Sequence, residues 1–292
     1  MINRRRFLTI SCAALGAPAL AAPTDTWRGY ALGAEVSISI QGFRDQTTPA
    51  LARARALIRH VERQFSLYDP ESALSRLNRN GVLHDPHPDF LALCVEIDRL
   101  YARTNGLFDP TVQVLWQRKT DERLRATLKA LIGWPRVTHH TNAVHLAPGQ
   151  QLTFNGIAQG FATDLVTGGL RDSGFTNLHV NIGEHATQGP ARRLGIADPN
   201  FGIVGAVSLK NAAVATSSPN ATQMGHQGHI FSPFDTGVHW STVSVVAPRA
   251  TLADGLSTAL CLADWADVRR IHGAAGSERY ILIDAQGDVR SL

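Results

Sequence analysis

The sequence predicts an α+β fold, built as one large domain or two closely joined lobes. Three observations point there. The 292-residue chain is 44% apolar, enough to bury a sizeable core. It carries no obvious linker, internal repeat or low-complexity tract at which that core would divide. Helix and strand signals alternate along it without the regular rhythm of a doubly wound βαβ sheet, and the strand signals concentrate in the second half.

Residues 1–21 come first, as a segment to be removed. Asn3-Arg4-Arg5-Arg6-Phe7-Leu8 gives a basic start, an apolar run follows, and Ala19-Leu20-Ala21 supplies a small-residue cleavage site. The paired arginines before Phe-Leu have the form of a twin-arginine export signal, so the mature protein, residues 22–292, is expected in the periplasm. A membrane anchor needs ~20 apolar residues, whereas this run is shorter and is broken by Gly16 and Pro18. Cys12 has only Thr9-Ile10-Ser11 between it and the basic start's Phe7-Leu8, too little apolar run for a lipoprotein signal. Losing the three arginines leaves 25 basic against 24 acidic side chains, so the formal charge falls from +4 to +1. A nearly neutral chain with scattered Lys and Arg offers no electrostatic footprint for nucleic acid. Cys94 and Cys261 sit among apolar residues at helical spacing and are expected as small core residues, and no Cys/His zinc spacing occurs.

In the mature chain, Val36, Ile38 and Ile40 alternate with polar neighbours and mark a half-buried strand. Thr48-Pro49 opens a helix with the apolar stripe Leu51, Ala54, Ile58, Val61 and Phe65, its arginines falling on other faces. A second helix begins near Pro88, turns Phe90, Leu93, Ile97, Leu100 and Tyr101 inward, and stops at Asn105-Gly106. A third is expected from Thr120 to Ile132, ending at Gly133. Strands follow at Val180 to Ile182, Leu194 to Ala197, Val204 to Leu209, Ala213 to Thr216, Val243 to Val246 and Tyr280 to Ile283, each bounded by turn-forming residues. Helices interrupt them at Ala158 to Asp172, around Asp254 and at Trp265 to His272.

The chemistry concentrates in three places. Ala253-Asp254-Gly255-Leu256-Ser257-Thr258-Ala259 sets a carboxylate and a hydroxyl four residues apart where a helix is expected to begin. On a helix, Asp254 and Thr258 share one face. Two hard oxygens suit Mg²⁺, which takes one or two carboxylates and completes its shell with waters and substrate phosphates, so a nucleotide substrate is the first hypothesis. The same spacing fits an Asp that caps the helix and a Thr on its surface. Second, Thr153-Phe154-Asn155-Gly156-Ile157-Ala158-Gln159-Gly160 puts two glycines around a strand-to-helix junction, where exposed amides and a free carbonyl can meet phosphate or metal. Neither a dinucleotide-binding G-x-G-x-x-G fingerprint nor a P-loop is present. Third, His229 lies in Gly228-His229-Ile230-Phe231-Ser232-Pro233, ahead of Asp235-Thr236-Gly237. A loop histidine suits a general base, and equally an ordinary hydrogen-bonding role among twelve histidines. His226 lacks the helical context and acidic companions of a metal ligand.

Taken in order, the segments Leu32-Gly33, Phe65 to Asn78, Thr104 to Val112, Asn155 to Asp164, Asn181 to Gly183, Val214 to Ser217, His229 to Gly237 and Ala253 to Ala259 resemble one family, the ApbE-type FAD:protein FMN transferases. The resemblance covers nearly the whole mature chain. It implies a T-fold-like domain with a mixed or antiparallel sheet and packed helices. It also implies transfer of FMN from FAD to a Ser or Thr hydroxyl of a partner protein, through a phosphoester bond and with release of AMP. By the resemblance Asp254, Thr258 and the Gly156 carbonyl fall on Mg²⁺ ligands and His229 on the proposed base. Leu32, Tyr68, Leu107, Phe108, Asp109, Thr153, Gln159 and Phe231 fall on positions that contact FAD.

Thr153, Gln159 and Ser232 depart from the charged residues usual in the family, leaving fewer charges around the nucleotide. The export signal, the Trp27 to Ala34 opening and the Asn155 to Gly160 variant resemble the NosX-type branch, associated with nitrous-oxide reduction. That branch implies the membrane flavoprotein NosR as acceptor. Two other classes stay open: a periplasmic protein that only binds FAD, and a Mg²⁺-dependent FAD pyrophosphatase that releases free FMN.

Overall fold

The computed structural model describes residues 22–117, 122–221, 228–234, 236–273 and 277–292. The expected export signal (1–21), Thr120, His226 and Asp235 lie outside the described residues. The described chain opens with a hairpin, β1 (Thr24–Ala31) and β2 (Ala34–Gln41), paired antiparallel from Ala31↔Ala34 to Thr24↔Gln41. Alternation in the sequence revealed β2; β1 fully buries only Ala31, with Trp27 half-buried against the core, and left no such signal. Leu32 and Gly33 form the two-residue turn at φ 49° and 74°, both positive as a type I′ hairpin turn requires.

α1 (Arg44–Phe65) begins a turn before the expected Thr48-Pro49, with Pro49 inside it, and buries the predicted stripe from Leu51 to Phe65. α2 (Ala73–Asn80), which the periodicity did not reveal, is capped by Ser72 Oγ and stopped by Gly81 in the left-handed region. β3 (Val82–His84) leads to α3 (Pro88–Arg103), which ends at Asn105-Gly106 as expected. After α4 (Gln113–Gln117), the helix expected to run to Ile132 is the shorter α5 (Glu122–Lys129). Its continuation tightens into three-residue turns, Leu131 N to Leu128 O and Ile132 N to Lys129 O, before Gly133. β4 (Thr138–His140) and β5 (Ala143–His145) complete a small sheet in the order β3-β5-β4.

The second half runs α6 (Ala158–Asp172), β6 (Leu178–Ile182), β7 (His185–Gln188), β8 (Arg192–Asp198), β9 (Gly202–Leu209), β10 (Ala213–Ser217), β11 (Thr242–Ala247), α7 (Ala250–Leu260), α8 (Trp265–Gly273), β12 (Arg279–Ile283) and β13 (Val289–Ser291). The main sheet has the order β1-β2-β6-β7-β10-β11-β12-β13, and each pairing described in it is antiparallel. Helices α1, α6 and α7 pack on one face, burying Ile38, Ile40, Val180, Val243, Val245 and Leu282 completely. Residues of opposite parity, Val214, Val246 and Ile283, are covered from the other side by Leu194, Ile196, Val207 and Leu209 of the β8–β9 hairpin. One continuous core joins α1, α3, α6, α7 and the sheet, so both halves fold as a single domain. Cys94 and Cys261 are buried and free, as small core residues. Among the described residues no helix is long and apolar enough to cross a membrane.

Candidate functional site

α7 starts at Ala250, so Asp254 lies in its second turn and does not cap it. The cap comes from α6, where Asp164 accepts from Ala250 N at 2.7 Å and from Thr251 N at 2.9 Å. Asp254 is thereby left for other work. It is buried, and its Oδ2 accepts from Gly160 N at 2.9 Å. Only glycine permits that approach of α6 to α7, because a Cβ at residue 160 would stand 2.4 Å from the Ala250 carbonyl oxygen and 2.8 Å from Asp254 Cβ. One turn on, Thr258 directs its Oγ1 at the Gly156 carbonyl 3.5 Å away. A Cβ on Gly156 would reach within 2.9 Å of that hydroxyl. Ser217, at the end of β10, hydrogen-bonds Ser257 Oγ at 2.8 Å and Thr258 Oγ1 at 3.3 Å, fixing this part of α7 to the sheet.

The electrostatics of the cluster are set by burial. Loss of water and, behind it, the charge of Asp164 raise Asp254 to about 7, although the Gly160 amide pulls the other way. Glu184, in the turn from β6 to β7, is pushed well above the ordinary carboxyl range by burial and by the charge of Asp254. Its Oε2 accepts from Thr216 N at 3.2 Å. Two carboxyl groups in one dry site resist ionising together unless positive charge joins them. Buried carboxylates, a hydroxyl and a backbone carbonyl are hard oxygen donors, a set that fits a cation such as Mg²⁺. Glu184 was missed from sequence; its one signal was its place directly after Asn181-Ile182-Gly183.

Leu32 and Gln159 join the same junction. Gln159 Nε2 donates to the Leu32 carbonyl at 3.2 Å, and Leu32 N donates to Glu62 Oε1 at 3.0 Å. Thr153 Oγ1 accepts from Asn155 N at 3.2 Å while Thr153 N donates to the Pro110 carbonyl at 2.9 Å, tying the junction to the loop after Leu107. In that loop Leu107 lines an open cavity of about 250 Å³ with Asn105, Phe234, His239, Asp264 and Arg270. Phe108 is packed in the core. The Asp109 carboxylate turns inward, accepting from Thr111 N at 2.8 Å and Trp134 N at 3.0 Å. The cavity is not lined by Gly156, Asp254 or Thr258.

The remaining positions are more dispersed. Tyr68 is 86% exposed, so core packing does not account for it. His229 N donates to the Pro219 carbonyl at 3.0 Å, two residues beyond Ser217, and the His229 carbonyl accepts from Trp116 Nε1 at 3.1 Å. Phe231 is buried with Val114, Leu115 and Leu128 and meets the Trp116 ring edge-on at 6.1 Å.

Comparison with known proteins shows the family and the fold. A model of the ApbE family matches residues 32–279. An FAD:protein FMN transferase of Chlamydia muridarum is 30% identical over 233 residues, 69% of this chain and 72% of the relative. One from Rhodobacter capsulatus is 27% identical over 293 residues, 89% of this chain, and the chain spans only 55% of that relative's length. Among solved structures, the flavin transferase ApbE of Vibrio cholerae superposes with a TM-score of 0.78 at 20% identity, covering 92% of this chain and 97% of that one. The apo flavinyl transferase ApbE of Pseudomonas stutzeri gives 0.82 at 21% identity, covering 94% and 96%. These two likenesses establish the fold.

Proposed function

The chain belongs to the ApbE family, and on that premise we propose that it is an FAD:protein FMN transferase acting on an exported acceptor. A Ser or Thr hydroxyl of the acceptor attacks the phosphorus on the FMN side of FAD. A phosphoester bond forms as the pyrophosphate bridge breaks, AMP departs with the bridging oxygen, and the acceptor's proton passes to the His229 imidazole. The observation that carries this reading is the convergence of Asp254, Thr258 and the Gly156 carbonyl at one α6–α7 crossing. Those three groups would hold Mg²⁺. When bound, the ion neutralises the pyrophosphate and the charge developing on the departing AMP.

The chain's own residues do the rest. Gly160 N fixes the Asp254 carboxylate, Asp164 anchors the first turn of α7, and Ser217 holds the Thr258 hydroxyl in place. Leu32, Thr153 and Gln159, gathered at the junction, are assigned to the nucleotide. Tyr68, Leu107, Phe108, Asp109 and Phe231 are assigned to the flavin half, Phe108 and Asp109 through the loop they hold rather than through free side chains. Export through residues 1–21 would bring the mature chain to the periplasm. The Trp27 to Ala34 and Asn155 to Gly160 segments support a NosR-type membrane flavoprotein as acceptor.

The test is to incubate residues 22–292 with FAD, Mg²⁺ and a NosR-type acceptor domain, and to follow flavin by in-gel fluorescence and nucleotides by chromatography. Covalent flavin on the acceptor with equimolar AMP is expected. Free FMN with AMP would identify a pyrophosphatase instead, and intact FAD a binding protein.

A further inference from the structure

We propose that His60, His87 and Asp89 form a second cation site, selective for a late-transition divalent ion of the Zn²⁺ class and independent of the transferase site. His60 lies on the C-terminal half of α1, His87 is the residue before α3, and Asp89 is in the first turn of α3. One ligand atom from each falls within 4.8 Å of the others. His60 Nε2 stands 2.9 Å and His87 Nδ1 3.4 Å from Asp89 Oδ2. A tetrahedral ion with bonds of about 2.0 Å keeps its ligand atoms about 3.3 Å apart, so the spacing already suits one. The two rings meet edge to face with centroids 4.3 Å apart.

The donor set decides the ion. Two imidazoles and one carboxylate are borderline ligands that favour Zn²⁺, Co²⁺ or Ni²⁺ over Mg²⁺, the reverse of the all-oxygen set at Gly156, Asp254 and Thr258. Access and rigidity also suit an ion. The side chains of His60, His87 and Asp89 are 18%, 46% and 28% exposed, so a water can complete the shell. Pro86 and Pro88 flank His87, and its extended backbone (φ −57°, ψ 144°) is the one a following proline enforces. Without an ion, Asp89 accepts from or pairs with His60, and Asp89 N donates to His87 Nδ1 at 3.1 Å as a helix cap. Bound, the ion would replace both contacts and clamp α1 to the start of α3.

The substitutions His60→Gln and His87→Asn separate a metal site from a capping motif, because Gln keeps a donor for Asp89 and Asn is a good helix cap while neither supplies an imidazole. Residues 22–292 carrying Asp254→Asn, to disable the oxygen site, should be titrated with Co²⁺ and Zn²⁺ alone, reading visible Co²⁺ absorption, equilibrium dialysis and melting temperature. One equivalent is expected to bind and raise the melting temperature, with affinity falling at least tenfold in His60→Gln and in His87→Asn. Failure to bind Co²⁺ or Zn²⁺ stoichiometrically, or binding that both substitutions leave unchanged, would overturn the proposal. Transferase activity is not part of the readout, so this outcome is separate from the fate of the catalytic reading.

Discussion

Asp254→Asn should stabilise the cation-free protein in alkaline buffer while abolishing its response to Mg²⁺. Burial lifts Asp254 from the ordinary 3.8 to about 7. Below about pH 3.8 the group is protonated in the folded and unfolded chain alike, and contributes nothing. Between there and about pH 7 the unfolded chain ionises while the folded chain keeps its proton, so unfolding gains as pH rises; above that, the whole cost stands. A displacement of roughly three pH units corresponds to about 4 kcal/mol. Asparagine is neutral throughout, nearly the same shape, and its Oδ1 can still accept from Gly160 N. Removing the charge also relieves Glu184, whose own ionisation Asp254 opposes.

At about 2 °C per kcal/mol for a domain of this size, the variant should melt about 8 °C higher than the parent at pH 8 in chelator. The difference should shrink to nothing near pH 4. Added Mg²⁺ should raise the parent's melting temperature and leave the variant's unchanged. Scanning calorimetry of residues 22–292 at pH 4, 6 and 8, with chelator and with Mg²⁺, reads all of this. A variant that melts at or below the parent at pH 8, or that keeps the Mg²⁺ shift, refutes the electrostatic reasoning.

Gly156→Ala should cut AMP release at least tenfold, read by chromatography of the nucleotides, because the added methyl lands 2.9 Å from both Oγ1 and Cγ2 of Thr258 and must displace that side chain. Asp164→Ala removes the acceptor for two amides and the Thr251 hydroxyl at the start of α7; it should cost about 2 kcal/mol by urea denaturation, and an unchanged midpoint would dismiss the capping role. His229→Ala should slow transfer to the acceptor while FAD affinity, measured by fluorescence titration, stays within about twofold; lost binding would make the residue a ligand contact instead of a base.

How much of this was legible in sequence depends on what each element buries. β2, α1 and α3 bury apolar faces at regular period, the strands from β6 to β12, β7 excepted, carry short apolar or alternating runs bounded by turn residues, and these patterns located them to within a few residues. β1 and β13 are edge strands with little buried surface, and β3, β4 and β5 are three residues each, too short for a period to register. At the site, the four-residue spacing put Asp254 and Thr258 on one helix face correctly. It placed the helix start wrongly, because the cap is Asp164, 86 residues before Ala250 in the chain and unreadable from the local run. Glu184 escaped for a similar reason: the groups that mark it, Thr216 N on β10 and the Asp254 carboxyl on α7, are remote in the chain.

The surroundings of the α6–α7 crossing also occupy the uncharged side chains of Gln159 and Thr153. Gln159 is occupied internally, its amide N–H donating to the carbonyl of Leu32. Leu32 needs such a tether, since a bulky residue at φ 49° sits in a region that costs about 1 kcal/mol. An amide or an ammonium can donate to that carbonyl, whereas a carboxylate cannot, so this contact requires a donor rather than a charge. Thr153 acts likewise, its hydroxyl accepting from Asn155 N to hold the turn that presents the Gly156 carbonyl. The carboxyl groups of the proposed site are Asp254 and Glu184, held short of joint ionisation by burial, behind two glycines that let the helices and the junction close on them. The geometry of the proposed site is therefore set by close approach to Thr258 at Gly156 and to the Ala250 backbone at Gly160, with a polar shell of donors and acceptors around it.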